Sequence, residues 1–523
     1  MRLTGKATRG AFPLSRSGRF SSPKVAASFR VVRRSLERAI LSCDKQISVK
    51  GVPLERKIAW ESYSEQQIEE LDGLASRYID YISSNKTERR CFAAAVKQAE
   101  AAGYESLENV VREGRTLEAG SKVWAGVHGK SLILAHIGTE PLEAGLNILG
   151  AHIDSPRLDL KQNPVYENSG FAFLDTHYYG GIKHYQWVTL PLALHGVVAK
   201  ADGTVVDVNV GDDAGDPVFC VTDLLPHLGN QQMAKKGSEV VEGENLDVLI
   251  GNRPLKVEPA DDASDEEKAA AKEPVKAFAL KLLEEKYGIA EEDFLSAEIE
   301  VVPAGRAREL GFDRSMVIGY GQDDRVCAYT SLEAQLAIET PKKTAVTVLV
   351  DKEEIGSVGA TGMGSLFFEN TIAEIAALTG LESPLALRRV LAASRMLSSD
   401  VSAGFDPAYA SVFETKNAAY LGKGLVFNKY TGARGKSGSN DARAEYVAYV
   451  RRVMDDAEVS FQTAELGKVD AGGGGTIAYI PAKYGMDVID SGVAVLSMHA
   501  PWEVTSKADI FEAYRGYRAF LEA

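Results

Sequence analysis

The sequence predicts an α/β protein with a mainly parallel sheet, helices on both of its faces, and an inserted β-rich domain. Short apolar runs without strict alternation, such as SLILAHIG, GLNILGAHID and TAVTVLVDKEE, read as strands buried on both sides. Helical patterns with apolar residues three and four apart, as in RVCAYTSLEAQLAI and ARAEYVAYVRRVM, alternate with these runs. That alternation is what covers a parallel sheet. Between Asp159 and about Gly251 the texture turns to β alone, with turn signals in YYGGIKHYQ, AKADGTVV and GDDAGDP separating runs such as LPLALHGVVA and TVVDVNVG.

Taken in order, residues 1–50 carry 12 Lys+Arg against 2 Asp+Glu, a local charge of +10 within a formal total of −14. They are expected as a basic, disordered extension. Their Arg- and Ser-rich, acid-poor composition is also that of an organelle transit peptide, and they lack the apolar run of a secretory signal. Residues 51–160 and 311–523 are expected to form one domain, interrupted by an inserted β-rich domain over 161–310. Ala59 to Tyr104 reads as two amphipathic helices, followed by the first two buried strands. Residues 256–275, KVEPADDASDEEKAAAKEPV, read as a charged, solvated loop. From Gly311 the order runs through the strand SMVIGYGQDD, the helix RVCAYTSLEAQLAI, the strand TAVTVLVDKEE and the helix PLALRRVLAASRM. It closes with ARAEYVAYVRRVM, the strand GVAVLSMHA and a terminal helix.

Composition excludes several classes. The residues after the basic head carry the remaining charge of −24, which argues against a nucleic-acid surface. No stretch reaches the roughly 18 apolar residues of a membrane span. Four cysteines, Cys43, Cys91, Cys220 and Cys327, lie far apart with no CxxC spacing, so neither a thiolate zinc site nor a disulfide framework is indicated, and a reducing compartment fits best.

In open α/β sheets, sites form beyond the carboxyl ends of strands. His152 and Asp154 end GLNILGAHID, Asp323 and Asp324 end SMVIGYGQDD, Glu353 and Glu354 end TAVTVLVDKEE, His499 ends GVAVLSMHA, and Asp400 ends RMLSSD. Crowding Glu353 against Glu354 gains no stability. Singly, each histidine is an ordinary rim residue and each acid a cap or turn. Gathered at one edge, so many carboxylates would cost several kcal/mol apiece without a cation. Imidazole and carboxylate ligands suit zinc or another first-row divalent metal, and a carboxylate can bridge two ions.

Through GAHIDSPRLDLK, YGGIKHYQW, DKEEIGS, SSDVSAGFDP and SMHAPWE, in that order, the chain resembles the aspartyl aminopeptidase family of dinuclear zinc exopeptidases from about residue 55 to its end. The resemblance implies a catalytic zinc-peptidase domain with two zinc ions per subunit, manganese or cobalt being able to substitute. His152, Asp323 and Asp400 would hold one ion, and Asp323, Glu354 and His499 the other. Asp154 would orient a ligand and Glu353 would be the general base for water attack on the first peptide bond. GQDDRV departs from the commoner family form, in which Asn follows the bridging Asp.

The implied substrates are short peptides with a free N-terminus, acidic first residues favoured and neutral ones accepted. Lys429 in VFNKYTG would face an acidic side chain, and His227 in LLPHLG would reach into a neighbour's active site. The inserted domain would make dimer contacts within a homo-oligomer, in the family a tetrahedral dodecamer, located in the cytoplasm or, with a transit peptide, an organelle matrix. DAGGGGTIAYI could cradle substrate backbone. His128, His136, His177, His184 and His195 carry no matching ligand spacing and are read as structural. The competing readings are a catalytically silent assembly or cargo protein, and a metal-dependent deacylase or carboxypeptidase.

Overall fold

The computed structural model describes residues 58–256 and 264–523, and the basic head expected over residues 1–50 lies outside them. The apolar runs at Ser131–His136, Asn147–His152 and Ala345–Val350 are buried at every position. Such runs can occupy only the middle of a sheet covered on both sides. They sit inside nine strands ordered Glu105–Ser106, Lys122–Val127, Ser131–His136, Ala345–Val350, Asn147–His152, Arg395–Ser399, Asp487–Gly492, Leu425–Asn428 and Phe461–Ala464.

Successive residues of each central strand serve opposite cores. Leu149, Ala151 and Leu349 pack beneath one helical layer, and Ile148, Val348 and Val350 beneath the other. The first layer holds Glu65–Ser84, Glu88–Ala101, Gln322–Leu336, Ala444–Asp456 and Lys507–Glu522. The second holds Phe367–Leu378 and Pro384–Ala393. Both amphipathic helices of the first hundred residues start on hydroxyl caps. Ser64 forms a reciprocal box with Gln67, and Thr87 accepts from the Arg90 amide.

The sheet is mixed around a parallel centre. Ala345–Val350, Asn147–His152, Arg395–Ser399 and Asp487–Gly492 run parallel. Lys122–Val127, however, pairs antiparallel with Ser131–His136, and Ser131–His136 with Ala345–Val350. The turn between the first two explains the departure. His128 and Gly129 both take positive φ, 51° and 66°, and so short a turn can join only antiparallel neighbours.

Two further sheets correct the reading of particular strands. SMVIGYGQDD and the end of GVAVLSMHA were expected at the edge of the parallel sheet. Met316–Gly319 instead pairs antiparallel with Glu503–Ser506, which pairs with Ala494–Leu496, in a separate five-stranded sheet. One apolar run, DVIDSGVAVL, supplies both sheets, and apolarity alone does not show where the chain crosses between them. The crossing lies at Gly492, where a Cβ would fall 1.9 Å from the Asp400 carbonyl oxygen.

The remaining six strands form an antiparallel sheet ordered Val205–Val210, Leu192–Ala199, Ala297–Pro303, Arg157–Asn168, Phe171–Tyr179 and Val248–Gly251. Its strand pairing begins at Arg157, before the boundary expected at 161. The stretch expected as a loop over 256–275 is helical from Asp265 to Lys272, and a second helix spans Pro274–Tyr287. Ser264 and Glu267 form a capping box ahead of an alanine-rich turn, and Pro274 opens the next helix at a position that needs no N–H. Charge density masked these local helix signals. Residues 257–263 of that stretch lie outside the described residues.

Gly492→Ala is expected to lower stability by about 1–3 kcal/mol, because its new methyl meets the Asp400 backbone and not a flexible side chain. Denaturant unfolding of the variant beside the wild type measures this, and equal midpoints would show that the Asp400 strand can yield.

Candidate metal centre

Three neighbouring parallel strands each deliver an acid or an imidazole where they end. His152 is the last residue of Asn147–His152, Asp400 follows Arg395–Ser399, and Glu353 and Glu354 follow Ala345–Val350 in a short 3-10 turn. Lys352, at φ 66°, turns the chain so that the two glutamates leave the strand direction. The five-stranded sheet brings the rest. Asp323 lies at the start of Gln322–Leu336, just after Met316–Gly319, and His499 follows Ala494–Leu496 with φ 65°. The Asp323–Asp324 peptide is cis.

Asp323 lies between the two imidazoles. Its Oδ1 is 3.3 Å from His152 Nε2, and its Oδ2 is 3.1 Å from His499 Nε2. Glu354 Oε2 approaches the same His499 nitrogen at 3.5 Å. One group of potential ligand atoms, from His152, Asp323 and Glu354, lies within 4.8 Å of one another, and a second comprises His152, Asp324 and Asp400. Asp324, read in the sequence as a strand-end acid but outside the ligand set, thus stands beside Asp400.

Asp154 holds this geometry from behind. Its carboxylate is 3.3 Å from His152 Nδ1 and accepts the backbone N–H of Glu353 and of Glu354, each at 3.2 Å. The Tyr179 hydroxyl donates to it at 2.8 Å. Glu503, within SMHAPWE but assigned nothing from sequence, accepts the Asp323 N–H at 3.1 Å and the His499 N–H at 2.7 Å. A single carboxylate therefore ties two proposed ligand segments together. Its position four residues past His499 was visible in the sequence, but its partner 180 residues upstream was not.

Burial and like charge dominate the electrostatics. Burial pushes the carboxyls of Glu354, Asp324 and Asp400 well above their ordinary range, with neighbouring acids adding to it. Glu353 is raised by the same burial, against the pull of His152. Asp323 is held low: burial opposes ionisation, but bonding to both imidazoles outweighs it. His499 is pushed up to about 10 because Asp323 and Glu354 more than offset its burial. Glu354 Oε1 and Asp324 Oδ1 are buried acceptors without a hydrogen-bond donor. Orphaned carboxylate oxygens beside imidazole nitrogens, with no cysteine in either group, fit zinc.

The structure thus gathers His152, Asp154, Asp323, Glu353, Glu354, Asp400 and His499, and the contacts that join them include neither His227 nor Lys429. His227 is exposed in the turn before Asn230–Met233 of the inserted region. Lys429 follows Leu425–Asn428 and pairs with Asp441 at 2.7 Å, 48% exposed. Contacts from the inserted segment were missed in the sequence. Gly181 O, within the segment YGGIKHYQW, lies 2.8 Å from His499 Nδ1. His184 in that segment faces the Val241 carbonyl at 2.9 Å.

Glu503→Gln presents an N–H₂ group to one of two N–H donors, so zinc affinity is expected to fall about 10- to 100-fold, the usual cost of losing an outer-shell partner. Titration of metal-stripped protein against a zinc chelator checks this, and an unchanged affinity would remove Glu503 from the centre.

Comparison with known proteins identifies the family. Residues 81–521 match the family model described as aminopeptidase I zinc metalloprotease (M18). A probable M18 family aminopeptidase 1 of Clostridium acetobutylicum is 60% identical over 89% of this chain and 98% of its own length. The crystal structure of an M18 aminopeptidase from Thermotoga maritima superposes with a TM-score of 0.83 at 44% identity, covering 90% of this chain and 99% of that one. Aminopeptidase I from Clostridium acetobutylicum gives 0.82 at 58% identity over 90% and 99%. The chain belongs to the M18 family of zinc metalloproteases and is an aminopeptidase, a hydrolase of peptide bonds.

Proposed function

We propose that this aminopeptidase removes the N-terminal residue of short peptides, favouring Asp and Glu and accepting neutral residues, at a centre of two divalent ions. In this reading His152, Asp323 and Asp400 hold one ion and Asp323, Glu354 and His499 the other, with zinc native and manganese or cobalt able to substitute. The observation carrying it is the seat of Asp323, with one carboxylate oxygen turned to each imidazole. Only a carboxylate so placed can serve two ions at once.

When bound, the ions polarise the scissile carbonyl and bring the pKa of a water molecule towards neutrality. The chain's own work is proton handling and orientation. Glu353, its backbone anchored on Asp154 and its carboxyl pushed up by burial, takes a proton from water and returns it to the departing amine. The excess of acids around the centre attracts the free α-ammonium of the substrate. For acidic first residues, Lys429 exchanges its partner Asp441 for the substrate carboxylate.

The reading assigns catalysis to 51–160 and 311–523 and dimer contacts to the inserted 161–310. Support for the latter is the exposed apolar set Val205, Val218, Leu224, Leu225, Leu228 and Met233. His227 sits among them, where it could complete a neighbour's site within the proposed tetrahedral dodecamer. The proposed location is the cytoplasm. Among the described residues no helix is long and apolar enough to cross a membrane.

Glu353→Gln is expected to lower kcat by about 10²- to 10⁴-fold with zinc content retained, the range for loss of a general base. Steady-state kinetics with metal analysis decides this, and full turnover in the variant would unseat Glu353. A panel of amino-acid p-nitroanilides is expected to give higher kcat/KM for Asp and Glu than for Leu. Lys429→Ala should shrink that preference about tenfold or more, the worth of one charge-assisted hydrogen bond. A flat panel would leave the enzyme an aminopeptidase without acidic selectivity.

A further inference from the structure

Three consecutive residues of the inserted sheet each touch a different part of the metal centre. Tyr179 ends the strand Phe171–Tyr179, and its hydroxyl donates to Asp154 Oδ2 at 2.8 Å. At Gly180, φ is +74°, and a Cβ there would stand 3.3 Å from both Cβ and Oε2 of Glu354. Gly181 presents its carbonyl oxygen to His499 Nδ1 at 2.8 Å. Only glycine meets the second demand at no cost, since it combines a left-handed backbone with close approach to another side chain.

The seat of Tyr179 is itself built. Arg157, paired with Tyr179 across the strands, holds its guanidinium 3.9 Å from the centre of the tyrosine ring. That guanidinium is buried and bonds Asp159 at 2.8 Å, with Glu300 at 3.2 Å and Glu88 at 3.5 Å. Glu300 belongs to the inserted sheet and Glu88 to the helical layer of the main domain. The ring is therefore clamped by a charge cluster at the joint between the two parts.

We propose that Tyr179, Gly180 and Gly181 are positioning residues for the metal centre, by which the inserted sheet fixes both imidazole ligands and Glu354. Tyr179 pins the Asp154 carboxylate, which accepts the backbone N–H of Glu353 and of Glu354 and stands 3.3 Å from His152 Nδ1, while the Asp154 backbone carbonyl, 3.0 Å from the same nitrogen, sets its N–H. Gly181 O accepts from His499 Nδ1. Both rings are thereby left with Nε2, the nitrogen facing Asp323, free for a metal. The role rests on the ligand set proposed above. Seating of the inserted sheet and metal affinity are then one property.

The test uses full-length, metal-stripped protein. Zinc affinity is read by competition with a chromogenic chelator, and ligand geometry by the visible absorption of the cobalt form. Tyr179→Phe removes one hydroxyl. It is expected to weaken zinc binding about 10- to 100-fold and shift the cobalt bands, with circular dichroism and oligomer size unchanged. Gly180→Ala, acting through Glu354 and not Asp154, is expected to weaken zinc binding likewise and serves if Tyr179→Phe misfolds. Tyr166→Phe is the control. It loses a phenol bond to Asp247, just before the edge strand Val248–Gly251 and no part of the candidate ligand groups, and should bind zinc as the wild type does. Wild type that binds zinc while Tyr179→Phe and Gly180→Ala match it in affinity and spectrum would overturn the positioning role alone. Wild type that takes up neither zinc nor cobalt would overturn the ligand set and the positioning role with it.

Discussion

The organisation of this molecule turns on one carboxylate, Asp323, held between two imidazoles that arrive from different sheets. His152 belongs to the central parallel sheet and His499 to the five-stranded sheet. Each approaches a different oxygen of Asp323, so the two sheets meet at this one side chain. Glu503 strengthens the same constraint, because it bonds the backbone of Asp323 and of His499 at once. Fold and site share these contacts.

That arrangement is poor for stability taken by itself. Acidic groups are pushed out of water beside one another, and burial raises Glu354, Asp324 and Asp400 against their ionised forms. Two acceptor oxygens are left without donors. Natural chains retain such clusters where a cation relieves them, and membership of a zinc metalloprotease family names the cation. The rest of the fold supplies the stability that the centre does not. Two cores flank the central strands, and the long terminal helix Lys507–Glu522 is buried along most of its length.

The inserted antiparallel sheet is more than an appendage on this catalytic frame. Its Tyr179–Gly181 end reaches Asp154, Glu354 and His499, while Arg157, Glu88 and Glu300 lock its base to the helical layer. A region whose proposed outer business is contact between subunits also has an inner face on the chemistry.

Much of this was legible in the sequence. Runs such as GLNILGAHID declare doubly buried strands, and residues with opposed chemistry at strand ends, His152 and the Glu353–Glu354 pair among them, declare a site, because period and polarity are local properties. The helix at Asp265–Lys272 was equally local, through its Ser264–Glu267 box, and was obscured only by charge. Which sheet receives Met316–Gly319, where DVIDSGVAVL changes sheets, and how Glu503 and Gly181 meet residues far along the chain were not legible. Those outcomes depend on strand pairing and close packing between segments hundreds of residues apart, where hydrogen-bond register and the space for a single Cβ decide. The amino-acid order thus determined which side chains could do the chemistry, and only tertiary packing decided which backbone atoms hold them still.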